Sequence, residues 1–240
     1  NDYWVRLSLR GDDKSQYLGT DEVWQVSEKA LTDVCVEQKL PYKEAKGEAA
    51  FYGPKLDFMF KDCIGREWQL ATIQCDFNLP NRFDLSFINE KGEKERPVVI
   101  HRAISGSLER FMGVMIEHYA GAFPTWLSPV QVSVVAVAEA HHPYAEEIVA
   151  MLKKEGVRVD ADYSSESMGK KIRNAKVSKT PYIFVVGDKE VEAKTVSIES
   201  RDMGDSKDEA NKIAPMTVAD AIAKIKEEIA ARALGTIFKK

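Results

Sequence analysis

The first half of the chain mixes two spacings. Tyr3–Leu9 (YWVRLSL) alternates with period two and predicts a strand. Thr20 then reads as the N-cap of a helix running to about Lys39, with Asp21 and Glu22 complementing its dipole. Val23, Val26, Ala30, Leu31, Val34 and Cys35 fall on one face, which predicts packing. Gly53-Pro54 is a turn signal inside a strand pattern, flanked by Tyr52 and Lys55, and Leu56, Phe58 and Phe60 share one face beyond it. REWQLATIQCDFNLP predicts a second long strand. Period two sends Thr72 and Gln74 to one side and Gln69 and Ile73 to the other, so gathering Gln69 with the other two needs a bulge between Gln69 and Thr72. Glutamines in an apolar strand face either a ligand or solvent, and the pattern leaves both open.

Pro97 to Gln131 predicts a buried strand (VVIHRA), a Gly-Ser turn and an amphipathic helix. Leu108, Phe111, Met112, Met115, Ile116 and Tyr119 form a stripe that reads as core packing. Arg110, in the first turn of that helix, needs a partner, and a phosphate, a carboxylate or a nucleotide ring would serve. This marks the segment as the floor of an anion or nucleotide site. His101 in the strand reads from spacing alone as a core residue, since no other ligands are nominated beside it.

From Pro129 the pattern changes. QVSVVAVA, VRVDAD and PYIFVV predict strands, and Tyr144–Lys154 and GKKIRNAK predict helices. Gly187-Asp188 predicts a turn into a last strand, EAKTVSIES, and a helix from Thr217 to about Ala233 closes the chain. Strands alternating with helices predict a small α/β domain. Lys170, Lys171, Arg173, Lys176 and Lys179 form the one local basic cluster, read either as a solvated helix face or as an RNA-phosphate contact.

Composition narrows the class. The chain has 240 residues, enough for two domains, with 44% hydrophobic and 30% charged residues, as expected of a soluble globular protein. A net charge of −4 removes any argument from overall basicity for nucleic-acid binding. No run reaches the length of a membrane span, so no membrane partner is expected. Three cysteines without CxxC spacing predict a reducing, cytoplasmic setting. The chain opens within a strand and without an initiator methionine, which suggests a fragment.

In combination, GEAAFYGPKLDF, WQLATIQCDFNLPNRFDL, VVIHRAISGSLERFMGVMIEHYAGAFPTWLSPVQV and GKKIRNAKVSKTPYIFVVGDKEVE resemble the threonyl-tRNA synthetases, a class II aminoacyl-tRNA synthetase family. The resemblance implies an α/β fold in which residues 1–128 are the C-terminal part of a catalytic domain built on an antiparallel sheet with helices, with motif 3 present. Residues 129–240 would be a small α/β anticodon-binding domain with a mixed sheet. The implied activity is threonine–tRNA ligase: ATP-dependent formation of threonyl-adenylate, then transfer to tRNA(Thr). By the same resemblance Arg110 binds ATP phosphate, Gln69 and Thr72 contact adenosine, and Lys55 lies near the adenylate. Tyr52, Gln74 and Ser107 would line the threonine pocket, and His101 would be one of three zinc ligands. Magnesium would accompany ATP, and Glu190, Ser165 and Lys179 would meet the anticodon.

The departures are specific. Motifs 1 and 2, the other two zinc ligands and an editing domain have no counterpart in these residues. Homodimerisation is therefore implied only for the full-length protein, and the 240 residues alone are expected to be inactive. Glu199 stands where relatives often have arginine, Ser165 where many have asparagine, and the Asp205–Met216 loop is longer than usual. An alternative is a truncated, non-catalytic tRNA-binding paralogue. A prolyl or other sister enzyme is disfavoured by His101 following the TIQ strand.

Overall fold

The periodic segments assemble into two separate sheets. The computed structural model describes residues 3–203 and 213–238, and the chain divides into compact units between His118 and Tyr119. The segment 205–212 of the long loop lies outside the described residues.

The first unit contains β1 (Tyr3–Leu9), α1 (Asp21–Glu37), β2 (Tyr42–Lys46), β3 (Lys55–Lys61), β4 (Glu67–Asp76), α2 (Asn78–Arg82), the short pair β5 (Phe87–Ile88) and β6 (Lys94–Glu95), β7 (Val99–Ala103) and α3 (Leu108–Tyr119). Five of these strands form one sheet in the order β2-β1-β3-β4-β7. Its four-strand body is antiparallel, and β2 joins the edge in parallel with β1. One face is apolar: Val5, Leu7, Leu56 and Cys75 pack with Leu31 and Cys35 of α1, and Phe58 and Ile73 lie against them. Thr20 caps α1 as predicted, its hydroxyl accepting from the Val23 amide at 3.4 Å. The buried stripe of α1 is rotated from the predicted one. Trp24, Ser27, Leu31 and Cys35 face inward, while Val26 and Val34 are exposed. Trp24 supplies the difference, because its indole nitrogen is buried against the Leu18 carbonyl at 2.7 Å.

The predicted bulge is present. β3 and β4 pair in register from Lys55↔Gln74 to Phe58↔Ala71, then shift so that Met59 faces Gln69. Leu70 is the extra residue, and it turns Gln69 onto the same face as Thr72 and Gln74. Two glycines let backbone approach β4. A Cβ on Gly53 would lie 1.7 Å from the Cys75 carbonyl oxygen, and one on Gly106 (φ +58) 2.7 Å from the Leu70 carbonyl oxygen.

Two expectations for 97–119 are corrected. β7 is an edge strand, so Val98 and Ile100 are exposed rather than buried. The stripe on α3 is likewise uncovered: no residue of α3 is buried, and Leu108, Met112 and Ile116 are well exposed.

The second unit holds β8 (Val132–Ala136), α4 (His142–Lys154), β9 (Val159–Asp162), α5 (Met168–Val177), β10 (Tyr182–Val186), α6 (Asp188–Ala193), β11 (Thr195–Ser200), β12 (Met216–Thr217) and α7 (Val218–Ala230). The sheet order is β12-β11-β10-β8-β9. β8 runs parallel to β9 and β10, while β11 is antiparallel to its neighbours. Alternate residues are buried on opposite faces. Val132, Val134, Tyr182 and Phe184 pack with Ile148, Leu152, Ile222 and Ile225, and Val135 and Ile183 pack with Ala175. The predicted strand EAKTVSIES begins only at Thr195, because α6 intervenes. Glu190 closes that helix start by accepting from the Gly187 amide at 3.0 Å, and Lys194 ends the helix at φ 57.

Candidate functional site

The uncovered face of the first sheet is a grid of polar side chains. Residues directly opposite in adjacent strands share a face. One row across four strands is therefore Ser8, Lys55, Gln74 and His101, and the next is Arg6, Asp57, Thr72 and Ala103. The bulge adds Gln69 to this face, bringing Lys55, Gln69, Thr72, Gln74 and His101 together from strands distant in sequence.

Asp57 sits at the centre and is fully buried. Its Oδ1 accepts from Gln69 Nε2 and Thr72 Oγ1, both at 2.8 Å. Its Oδ2 accepts from Arg6 Nη2 at 3.1 Å, Ser8 Oγ at 3.2 Å and the Lys55 ammonium. Arg6 Nη2 also reaches Gln69 Oε1 at 3.2 Å. Burial pushes the Asp57 carboxyl up, but the hydrogen bonds from Lys55, Thr72 and Arg6 and the Lys55 charge outweigh it, so it titrates below the usual carboxylate range.

At the other end of the grid the Tyr52 hydroxyl donates to Gln74 Oε1 at 2.7 Å, and its ring meets His101 edge-on at 6.2 Å. Burial and the nearby Asp76 charge raise the Tyr52 phenol. His101 Nε2 lies 2.8 Å from Asp76 Oδ2, and that carboxylate also receives the Asn78 and Leu79 amides. Burial pushes Asp76 up, and these partners together pull it below its ordinary value. A carboxylate acceptor fixes the proton of a neutral His101 on Nε2, leaving Nδ1 as the lone-pair nitrogen.

Arg110 is exposed, so the burial that was to demand a partner is absent. It nonetheless has partners. Its Nη1 donates to the Gln69 carbonyl at 3.1 Å, and its guanidinium lies 5.6 Å from the Trp68 ring centroid. Ser107 Oγ accepts from the Arg110 amide at 3.3 Å and donates to Glu109 at 2.8 Å, capping α3. Trp68 is itself held by Asp62 at 2.9 Å, and Arg66 lies 5.5 Å from the same ring and pairs with Glu117 at 2.9 Å. Arg6, Asp57, Trp68 and Asp76 escaped the reading of the sequence. An aspartate alternating with Lys55 in an otherwise apolar strand was the available signal for Asp57.

In the second unit, Glu190 is committed to the Gly187 amide and to Ser197 at 2.7 Å. Burial raises its carboxyl, and these bonds pull it below its ordinary value. Ser165 is exposed in the turn before α5, and the Lys179 ammonium sits on the Ala120 carbonyl. No hydrogen bond or ion pair joins these three among the described residues. The basic cluster is largely occupied. Lys170 pairs with Glu166 at 2.6 Å, Lys176 with Glu199 at 2.8 Å, and Lys171 is buried against the Ala136 carbonyl at 3.3 Å.

Among the described residues no three His, Cys, Asp or Glu side chains gather to hold a metal, and no helix is long and apolar enough to cross a membrane. All three cysteines are free.

Comparison with known proteins agrees with both sheets. Residues 10–119 match the tRNA synthetase class II core domain (G, H, P, S and T), and residues 131–228 match the anticodon binding domain. The chain is 51% identical over 204 residues to a threonine–tRNA ligase of Carboxydothermus hydrogenoformans, covering 85% of this chain and 32% of the relative. It is 48% identical over 233 residues to that of Caldanaerobacter subterraneus subsp. tengcongensis, covering 97% and 35%. The crystal structure of the RNA binding domain of a Cryptosporidium parvum threonyl-tRNA synthetase superposes with a TM-score of 0.83 at 35% identity, covering 97% of this chain and 55% of that one. The chain thus spans about a third of the length of these curated relatives. Its first unit carries part of a class II tRNA synthetase core and its second an anticodon-binding fold, and over nearly its whole length the chain is similar to threonyl-tRNA synthetases.

Proposed function

We propose that these residues form part of a cytoplasmic threonine–tRNA ligase, contributing the floor of the aminoacylation site and the anticodon-reading domain. The observation that carries the reading is the grid: Lys55, Gln69, Thr72, Gln74 and His101 share one uncovered sheet face, with Tyr52 on Gln74 and Arg110 at its margin. A merely structural sheet has no need to gather such groups there.

In the proposed reaction threonine's carboxylate oxygen attacks the α-phosphorus of ATP, and pyrophosphate departs with magnesium at the phosphates. The terminal ribose hydroxyl of tRNA(Thr) then attacks the adenylate carbonyl and AMP leaves. The cationic groups Arg110 and Lys55 stabilise the negative charge of the phosphates, with Arg110 steadied by the Gln69 carbonyl and Trp68. Gln69 and Thr72 hold adenosine, and Tyr52, Gln74 and Ser107 hold threonine, so that most of the rate comes from positioning.

His101 fits zinc as one ligand, since Asp76 fixes its proton on Nε2 and leaves Nδ1 to bind. The described residues supply no complete ligand set, so the remaining ligands belong to the rest of the protein in this proposal. Zinc bound there would favour threonine's hydroxyl over valine's methyl, which an apolar pocket cannot do well. Glu190, Ser165 and Lys179 would meet the anticodon, and the full-length protein would be a homodimer.

The test is ATP–pyrophosphate exchange. A full-length protein carrying these residues should exchange only with threonine, and the isolated 240 residues should show none. A folded, zinc-loaded full-length protein without threonine-dependent exchange would refute the ligase reading.

A further inference from the structure

Asp57 has no role in the family resemblance, yet it is the most heavily engaged side chain of the grid. It is fully buried and receives hydrogen bonds from Arg6, Ser8, Lys55, Gln69 and Thr72, spread over β1, β3 and β4. A carboxylate is stable in such a place only when matched by donors, and it is matched on both oxygens. Stability does not explain why it is there, since buried ionic groups are often replaced by apolar ones without loss. The opposite sheet face, packed on α1, already supplies the apolar core of this unit.

The contacts also fix hydrogen-bond polarity. Thr72 gives its one hydroxyl proton to Oδ1, so its oxygen is presented to a ligand as an acceptor. Gln69 is held at both ends, its amide nitrogen donating to Oδ1 and its carbonyl accepting from Arg6 Nη2, so the amide cannot flip. Lys55 is drawn down onto the face, its side chain 13% exposed. Two cations, Arg6 and Lys55, against one carboxylate leave an excess positive charge for an anionic ligand.

We propose that Asp57 is the positioning residue of the nucleotide subsite: it holds Lys55, Gln69 and Thr72 in their binding geometry and sets which of them donate and which accept. The inference rests on the nucleotide reading given above, because three of its five donors are the residues placed against ATP there.

The test is a double-mutant cycle in the full-length protein, following ATP–pyrophosphate exchange for the native chain, Asp57→Asn, Lys55→Met and the pair. Asp57→Asn should lower kcat/KM for ATP about 100-fold, the scale of a small misplacement of binding groups. KM for threonine should stay within about twofold, since no threonine contact is removed. The double variant should lose less than the product of the two single losses, because part of the Asp57 effect runs through Lys55. Multiplicative losses, equal losses toward ATP and threonine, or a fully active Asp57→Asn would each overturn the proposal. Should Asp57→Asn not fold, Arg6→Met, at a partly exposed site, replaces it. It should weaken ATP use about tenfold with threonine KM held, and an unchanged ATP dependence would count against the proposal. An inactive native protein would instead defeat the ligase reading, so the two failures are distinguishable.

Discussion

The two sheets use their faces differently. The second is sealed: Phe184 and Val134 are buried on one side and Ile183 and Val135 on the other, with helices over both. The first is half-open, with α1 covering one face and Arg6, Asp57, Thr72, Gln74 and His101 on the other. Both strand sets are rich in β-branched and aromatic residues, so propensity does not separate them. What separates them is parity. In β10 every position is apolar, whereas β4 interrupts its apolar pattern with Gln69, Thr72 and Gln74 and adds a bulge to align them. A bulged strand with aligned polar groups is organised for a ligand as well as for a core.

Similar truncations on the two sheets should therefore have opposite consequences. Phe184→Ala should cost about 3–5 kcal/mol in urea unfolding, the usual penalty for emptying a buried aromatic site. Gln74→Ala should cost no more than about 1 kcal/mol there while weakening threonine binding. Comparable stability losses would remove the distinction between a sealed sheet and a binding sheet.

Arg110→Ala should lower adenylate formation by about 10²–10³-fold, as expected when a preorganised charge is removed. Filter binding of tRNA should change little, because the proposed anticodon contacts lie in the second unit. Equal loss of both would argue against a phosphate role.

Acid should find the first sheet through Asp57. Its folded carboxyl titrates below an unfolded value of about 4, so its contribution is complete above that pH and is lost as pH falls through the folded value. Asp57→Asn should flatten the acid limb of the stability profile, and an unchanged limb would show that the carboxylate adds nothing. The smallest effect belongs to the cap of α7, where Thr217 Oγ accepts from the Asp220 amide at 3.2 Å. Thr217→Ala should cost about 1 kcal/mol.

Much of this was legible in the sequence. The bulge followed from asking how Gln69 could join Thr72 and Gln74, and the Thr20 cap is a local signal that tertiary structure left in place. The α1 face was misjudged because Trp24 outweighs Val23 and Val26 for the buried position. The α3 stripe looked like core because periodicity reports which face is apolar, not whether anything covers it. Asp57 was missed because its one local signal, alternation with Lys55 in β3, does not show what it binds. Its meaning comes from partners up to 51 residues away in the chain.

The most direct measurement is calorimetric titration of a non-hydrolysable threonyl-adenylate analogue into the full-length protein, comparing the native chain with Gln74→Ala and Thr72→Val. If the open face is the binding face, both variants should lose about tenfold or more in affinity, the scale of one or two lost hydrogen bonds, with melting temperatures close to native. Native-like affinity in both folded variants would contradict it.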